Sequence, residues 1–344
     1  MHRLITLRFN RWSVQVNPRS ATLTLAVLAA SLTLALIAIA TGSLWISPLE
    51  VIKELIASEP GDHAFIIETL RLPRVLMAFL AGSALALSGL ILQSVIRNPL
   101  ASPDIIGITS GASAAAVFFL SFLAGAVSIH WLPVAAILGA ACTSLLIYAL
   151  AWRQGVSPIR LVLIGIGLSA GLSALTTLMI VISPIATSMS AYVWLTGSVY
   201  GSEWSDVQAL APWLLILGPL SLLLARTIDI QEMGDAIAIN LGVPVQRNRF
   251  ILLLISVALA GSAVAYTGAI GFVGLIAPHM ARHLVDRSFS SLAPVAAMIG
   301  GGMVALADTI GRTVFLPLDI PAGVFVSSVG APFFIYLLYR QRHY

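Results

Sequence analysis

The sequence predicts an all-α, polytopic membrane protein of about ten transmembrane helices, and three observations lead there. Only 9% of the 344 residues are charged while 59% are apolar, and the mean hydropathy is +0.99. A soluble domain carries roughly 25% charged residues, so a chain of this composition needs lipid as part of its solvent. Apolar runs recur at the length of a span, since about 20 residues at about 1.5 Å rise cross about 30 Å of hydrocarbon. The bases fall between these runs rather than in one patch. With a net charge of +4 and a pI near 9.6, that distribution points to membrane topology rather than to nucleic acid.

The elements follow in order. Arg3, Arg8, Arg11 and Arg19 precede an apolar run over residues 21–42. A signal peptide has an apolar core of roughly 7–15 residues and a small-residue cleavage site; this run is longer, no A-x-A site follows, and it reads as a retained first span. Further spans are predicted over 74–96, 105–125, 131–152, 159–182, 207–226, 293–311 and 322–339. The stretch between Arg249 and Arg282 is too long for one upright helix and short for two. Gly268, Gly271 and Gly274 lie in its middle and Pro278 beyond, so it reads as one span over about 250–267 and a shorter, broken one over about 271–284, a habit of transporters.

Charge tests the count of ten. With both termini in the cytoplasm, 14 of the 18 Lys and Arg lie on cytoplasmic segments, as the positive-inside rule requires. Nine spans would strand Arg340 and Arg342 outside. Lys53, Arg71, Arg74 and Arg312 remain on the outer side as exceptions. Cys142, the single cysteine, cannot form an internal disulfide and reads as a small packing residue.

An internal repeat is visible. Ala81-Gly-Ser-Ala-Leu-Ala-Leu-Ser-Gly89 matches Ala260-Gly-Ser-Ala-Val-Ala-Tyr-Thr-Gly268, with Pro99 and Pro278 each standing ten residues beyond the last glycine. The copies run in opposite directions across the membrane, the pattern of an inverted repeat. The chain therefore reads as one permease-like domain, residues 1–344, with repeat halves at about 71–182 and 249–340 and a cytoplasmic segment at about 227–248. Gly107-x-x-x-Gly111 and Gly167-x-x-x-Gly171 permit close helix approach, within the chain or against a second copy.

Chemistry is sparse. The phosphate-binding pattern G-x-x-x-x-G-K-[ST] needs a lysine after glycine; the one lysine, Lys53, follows Ile52. ATP, if used, is bound by another chain. His279 and His283 are four apart, but Met280 follows His279, so the zinc pattern H-E-x-x-H is absent and a boundary role is favoured; no metal site or resident cofactor is expected. Asp308 lies four residues before Arg312, where the two can pair on a helix. Asp104 follows Ser102-Pro103 and reads as capping a span. Few acids are embedded, which argues against an ion-coupled carrier. The loop between Arg226 and Arg249 holds Asp229, Glu232, Met233, Gly234 and Asp235, then a short helix stopped by Gly242 and Pro244. It reads either as a solvated connector or as a docking helix for a soluble partner.

Five motifs carry a resemblance. Arg71-Leu-Pro-Arg74, Arg97-Asn-Pro-Leu-Ala-Ser-Pro-Asp-Ile-Ile-Gly107, Glu232-Met-Gly-Asp with Leu241-Gly-Val-Pro244, Gly268-Ala-Ile-Gly-Phe-Val-Gly-Leu-Ile-Ala-Pro-His279 and Leu306-Ala-Asp-Thr-Ile-Gly-Arg312 resemble the FecCD-type permeases of ferric-siderophore, haem and vitamin B12 importers, most of all those for ferric enterobactin and related siderophores. The resemblance covers about residues 45–340. It implies a type II ATP-binding-cassette importer fold in the bacterial cytoplasmic membrane. The implied partners are a second permease, identical or homologous, two ATPase subunits that hold ATP and Mg, and a periplasmic or lipid-anchored binding protein that delivers a ferric siderophore.

By the same resemblance Arg71, Arg74 and Arg312 meet acids of the binding protein. Gly234, Asp235, Ala238, Leu241, Gly242 and Pro244 form the ATPase-coupling segment, and Asn98, Leu100, Ser157 and Pro158 close the cytoplasmic gate. Pro158 departs from a turn that is often richer in hydroxyls. A bulky cargo needs a wide path lined by small side chains, for which Ser169, Gly171, Ser173, Thr176 and Thr177 are the candidates. Haem or vitamin B12 as cargo, and an ion-coupled secondary transporter as a different class, stay open as alternatives. A membrane enzyme lacks its catalytic cluster.

Overall fold

The structure, a computed structural model, describes residues 5–9, 12–57, 59 and 61–341. Of the residues weighed above, Arg3, Arg11 and Arg342 lie outside the described residues. The chain opens with an antiparallel hairpin, β1 (Ile5–Phe9) and β2 (Trp12–Val16), which pairs Ile5 with Val16 and Phe9 with Trp12. The all-helical reading did not anticipate it.

The helical body follows. α1 (Pro18–Ala40) and the short α2 (Pro48–Ile56) lead to a π-helical turn at Phe65–Arg71, which runs straight into α3 (Leu72–Ile96). Next come α4 (Ile108–Phe118), extended by a π-helical turn at Phe119–Leu123, α5 (Leu132–Ala151), α6 (Pro158–Ile182), α7 (Ile185–Thr196) and α8 (Trp204–Leu223). Two short helices, α9 (Ala225–Glu232) and α10 (Asp235–Asn240), precede α11 (Val245–Thr267), α12 (Val273–Leu284), α13 (Phe289–Thr313) and α14 (Ala322–Gln341).

Eight helices among the described residues are long and apolar enough to cross a membrane, and α4 and the broken α12 are the two shorter companions. Their places match the ten predicted spans. α7 is an extra element: a short helix in what the sequence leaves as a loop. α11 begins at Val245, five residues before the predicted start, directly after Pro244, and its first turns are held by the buried Arg249 bonding Asp235 and the Val156 carbonyl.

α3 and α11 form the centre, with 78% and 67% of their apolar windows buried, against 17% for α1 and α6. Small residues let the central helices touch. A Cβ at Gly82 of α3 would stand 2.2 Å from the carbonyl oxygen of Gly300 on α13, so only glycine fits there. The matching glycine of the second copy, Gly261 of α11, is less crowded, a Cβ there meeting only the Ala140 side chain of α5 at 3.3 Å. Ser88 and Ser256 bond hydroxyl to hydroxyl at 2.7 Å where α3 crosses α11.

The break between α11 and α12 is built from Gly268 to Phe272, both with positive φ. Asp104 does not cap α4, whose first turn is preceded by Gly107. Its carboxylate accepts from the Thr109 hydroxyl at 2.7 Å and lies beside Gly271 at the helix break. It thus stands where the α3–α4 turn meets the helix break. In an apolar interior such bonds are what make a buried carboxylate tolerable.

Candidate functional site

At one end of the bundle the three candidate docking arginines turn inward. Arg71 donates to the carbonyls of Ile39 at 2.8 Å, Ala40 at 3.1 Å and Leu44 at 2.6 Å, and Arg312 donates to those of Ala38 and, at 2.9 Å, Thr41. The last turn of α1 leaves carbonyls without helical partners and carries partial negative charge; Arg71, from the π-helical turn before α3, and Arg312 of α13 satisfy both needs. Arg71 and Arg312 are only 7% and 9% exposed. In this conformation they clamp the end of α1.

Arg74 is held between two carboxylates. Its Nε and Nη2 reach Asp308 at 3.0 and 2.8 Å, and its Nη1 and Nη2 reach Asp319 at 2.8 Å each. Its guanidinium also lies over the Tyr200 ring, 5.3 Å from the centroid. The predicted Asp308–Arg312 pair is present at 3.4 Å. Asp319 was not foreseen, because it sits in the loop after α13 where no periodicity marks it. The three arginines and Asp319 line one shared pocket with Gly42 and Leu316.

The other end carries the coupling candidates. Gly234 (φ 119°) and Gly242 (φ 79°) bracket α10, and backbone bonds Gly242 N–H to Ile239 and Val243 N–H to Ala238 close it. Left-handed φ is cheap only for glycine. Asp235 bonds Arg97 at 2.9 Å and Arg249 at 2.9 Å, and Arg249 also donates to the Val156 carbonyl. Asp235 is therefore the peg that fastens α10 to α3 and α11. Ala238 is fully buried, which corrects its reading as a docking contact. The outward face is Met233, Ile237, Ile239 and Leu241, each 49–64% exposed. An exposed apolar ridge beyond the membrane spans marks a contact surface.

The gate candidates occupy two turns. The Asn98 side chain accepts from Leu100 N–H at 2.9 Å in the turn after α3, and Ser157 caps α6, accepting from Arg160 N–H at 3.3 Å with Pro158 at the first helical position. Pro158 is thus explained by helix initiation. Next to Asn98, Arg282 bonds Gln93, and His279 and His283 bring their Nε2 atoms to 3.2 Å on α12. Of the path candidates, Gly171, Ser173 and Thr177 are exposed on α6, and Gly167 and Gly171 have nothing within 4 Å. Thr176 is a correction: it is buried and its hydroxyl returns to the Leu172 carbonyl at 2.8 Å. Ser169 is half-buried beside Gly107. The Gly107–Gly111 motif packs α4 onto Gly139 of α5, so of the two glycine pairs only the one on α6 is left open.

Ten packed helices, a broken helix at the centre, an unpartnered face of small residues and an apolar ridge at one end define a multi-pass membrane transport subunit. The chain belongs to the FecCD transport family, whose model matches residues 28–340. It is 54% identical to the achromobactin transport system permease protein CbrC of Dickeya dadantii (strain 3937), over 100% of this chain and 98% of that one. It is 36% identical to the ferric enterobactin transport system permease protein FepG of Escherichia coli (strain K12), over 88% and 90% of the two chains. Among solved structures, an inward-facing metal-chelate type ABC transporter superposes with a TM-score of 0.84 at 30% identity, over 93% of this chain and 99% of that one.

Proposed function

We propose that this chain is the membrane-spanning permease subunit of an ATP-driven importer that moves a ferric siderophore across the bacterial cytoplasmic membrane. Its relatives are permeases of achromobactin and ferric enterobactin transport systems, and the proposed cargo class follows from them. Both termini lie in the cytoplasm in this reading, as the base distribution favours. A second permease packs against the open face of α6, and a binding protein loads the pair from outside. Two separate ATPase subunits bind ATP and Mg, and this chain makes and breaks no covalent bond.

The observation that carries the reading is the α10 ridge. Met233, Ile237 and Leu241 recur at a four-residue spacing and stand in the open, while Asp235 and Ala238 anchor the other side. A ridge clamped to α3 and α11 transmits a push from a soluble partner into the bundle, which rocks between outward-open and inward-open states. The test is a paired substitution, Ile237→Asp with Leu241→Asp, in the assembled transporter. Membrane insertion is expected to persist while co-purification of the ATPase falls at least tenfold. Normal ATPase recovery and normal uptake would remove the coupling role.

A further inference from the structure

An apolar groove lies between α5, α6 and α11, lined by Ala141, Leu145, Tyr148, Leu161, Phe250 and Leu254. Leu145 and Leu254 stand at its mouth, 50% and 44% exposed. All three helices reach their arginine-bearing ends just below it. Tyr148 stacks on Phe250 at 5.1 Å and on Trp152 at 5.8 Å, and Trp152 is itself exposed, as interfacial tryptophans are. The turn over 152–156 is tied to the start of α11: Val156 donates its N–H to the Gln246 side chain at 3.0 Å, and its carbonyl accepts from Arg249. Arg153 and Arg247 therefore flank one small platform beneath the groove.

These two arginines differ from their neighbours. Arg160 and Arg249 are committed to carbonyls and to Asp235. Arg153 and Arg247 are exposed, and among the described residues neither side chain has a hydrogen bond or an ion pair. The groove and the open stripe are separate surfaces of α6: Leu161 lines the groove, whereas a Cβ at Gly167 or Gly171 would meet nothing, and the groove's exposed mouth lies on α5 and α11 at Leu145 and Leu254. That leaves bilayer lipid as its neighbour.

We infer that this groove is a binding site for one anionic phospholipid, an acyl chain lying along Leu145, Tyr148 and Leu254 and the phosphodiester between Arg153 and Arg247. Basic pockets between helices at a cytoplasmic membrane face select anionic headgroups, and guanidinium forks suit phosphate. A lipid seated there bridges α5 and α11 at the platform that also holds Arg249, and through it Asp235 of α10. Lipid composition would then bear on the coupling segment. The placement in the cytoplasmic leaflet rests on the orientation proposed above; the binding itself does not.

The test is native mass spectrometry of the full chain, purified in detergent and offered phosphatidylglycerol or phosphatidylethanolamine with identical acyl chains. The wild type is expected to retain phosphatidylglycerol at least tenfold better. Each arginine contributes about fivefold, so R153Q with R247Q should bring the two lipids close to parity. R226Q, an exposed arginine elsewhere at the same end, should change nothing. L254W at the mouth should weaken both lipids without removing the headgroup preference. Equal retention of the two lipids by the wild type, a preference that survives the double substitution, or an equal loss in R226Q would each overturn the site. Unaltered retention in L254W would overturn the acyl position. These readouts need no transport, so failure of the importer reading is distinguishable from failure here.

Discussion

At the residue scale the arginines decide most. Arg71 and Arg312 look alike in sequence to Arg74, yet the first two hold the carbonyl end of α1 and the third holds two aspartates. Removing a buried charged donor exposes several carbonyls at once, and each charge-assisted bond is worth about 1.5–3 kcal/mol. Arg71→Gln should therefore lower the unfolding free energy in detergent by roughly 3 kcal/mol, read by loss of α1 protection in hydrogen exchange. Such a variant cannot report on docking alone. Docking by Arg74 is a proposal that requires a partner carboxylate to replace Asp319, the more exposed of its two acids. Asp319→Asn is then expected to raise affinity for the binding protein and Arg74→Gln to lower it about tenfold, measured by titration of the binding protein onto the reconstituted permease. Equal affinity in all three proteins would remove Arg74 from the interface.

At the element scale the short helices α9 and α10 matter most. Asp235 neutralises Arg249, whose side chain is only 2% exposed. Leaving a buried guanidinium without its carboxylate costs more than the pair contributes when intact. Asp235→Ala should thus loosen α10, accelerating proteolysis near Gly234 while the membrane spans stay protected. A second anchor is Asp229 of α9, which accepts from the Phe289 N–H at 2.8 Å and so caps α13. Burial pushes the Asp229 carboxyl up, against a smaller downward pull from that hydrogen bond. A carboxyl raised in the fold contributes stability while protonated and loses it as pH rises through its folded value. Asp229→Asn keeps the acceptor without the charge, so its melting temperature should equal the wild type at pH 4 and exceed it at pH 7. The reverse order would show that the ionised cap is the better one.

At the scale of the whole molecule the open stripe of α6 is a surface left without a partner among the described residues. Gly167 and Gly171 pack against nothing, so leucine at both should be tolerated by the fold while reducing assembly of the permease pair and cargo uptake, read by cross-linking and by transport in vesicles. The ten helices and the break before α12 were legible because hydrocarbon thickness and backbone satisfaction act on sequence locally. The short helix between Gly234 and Gly242 was legible too, from its glycines and proline. Which of its faces points outward was not: a six-residue helix shows too little periodicity to tell Ala238 from Leu241. Nor did any pattern announce the hairpin before α1, α7, or the role of Asp319.

The sequence alone determined that this chain lives in lipid and crosses it about ten times, because composition and run length answer to the solvent. Only the tertiary structure decided which charges are available. A guanidinium at a helix end finds either water, a carboxylate or another helix's carbonyls, and that choice is made by elements such as α1 and α13, more than two hundred residues apart in the chain.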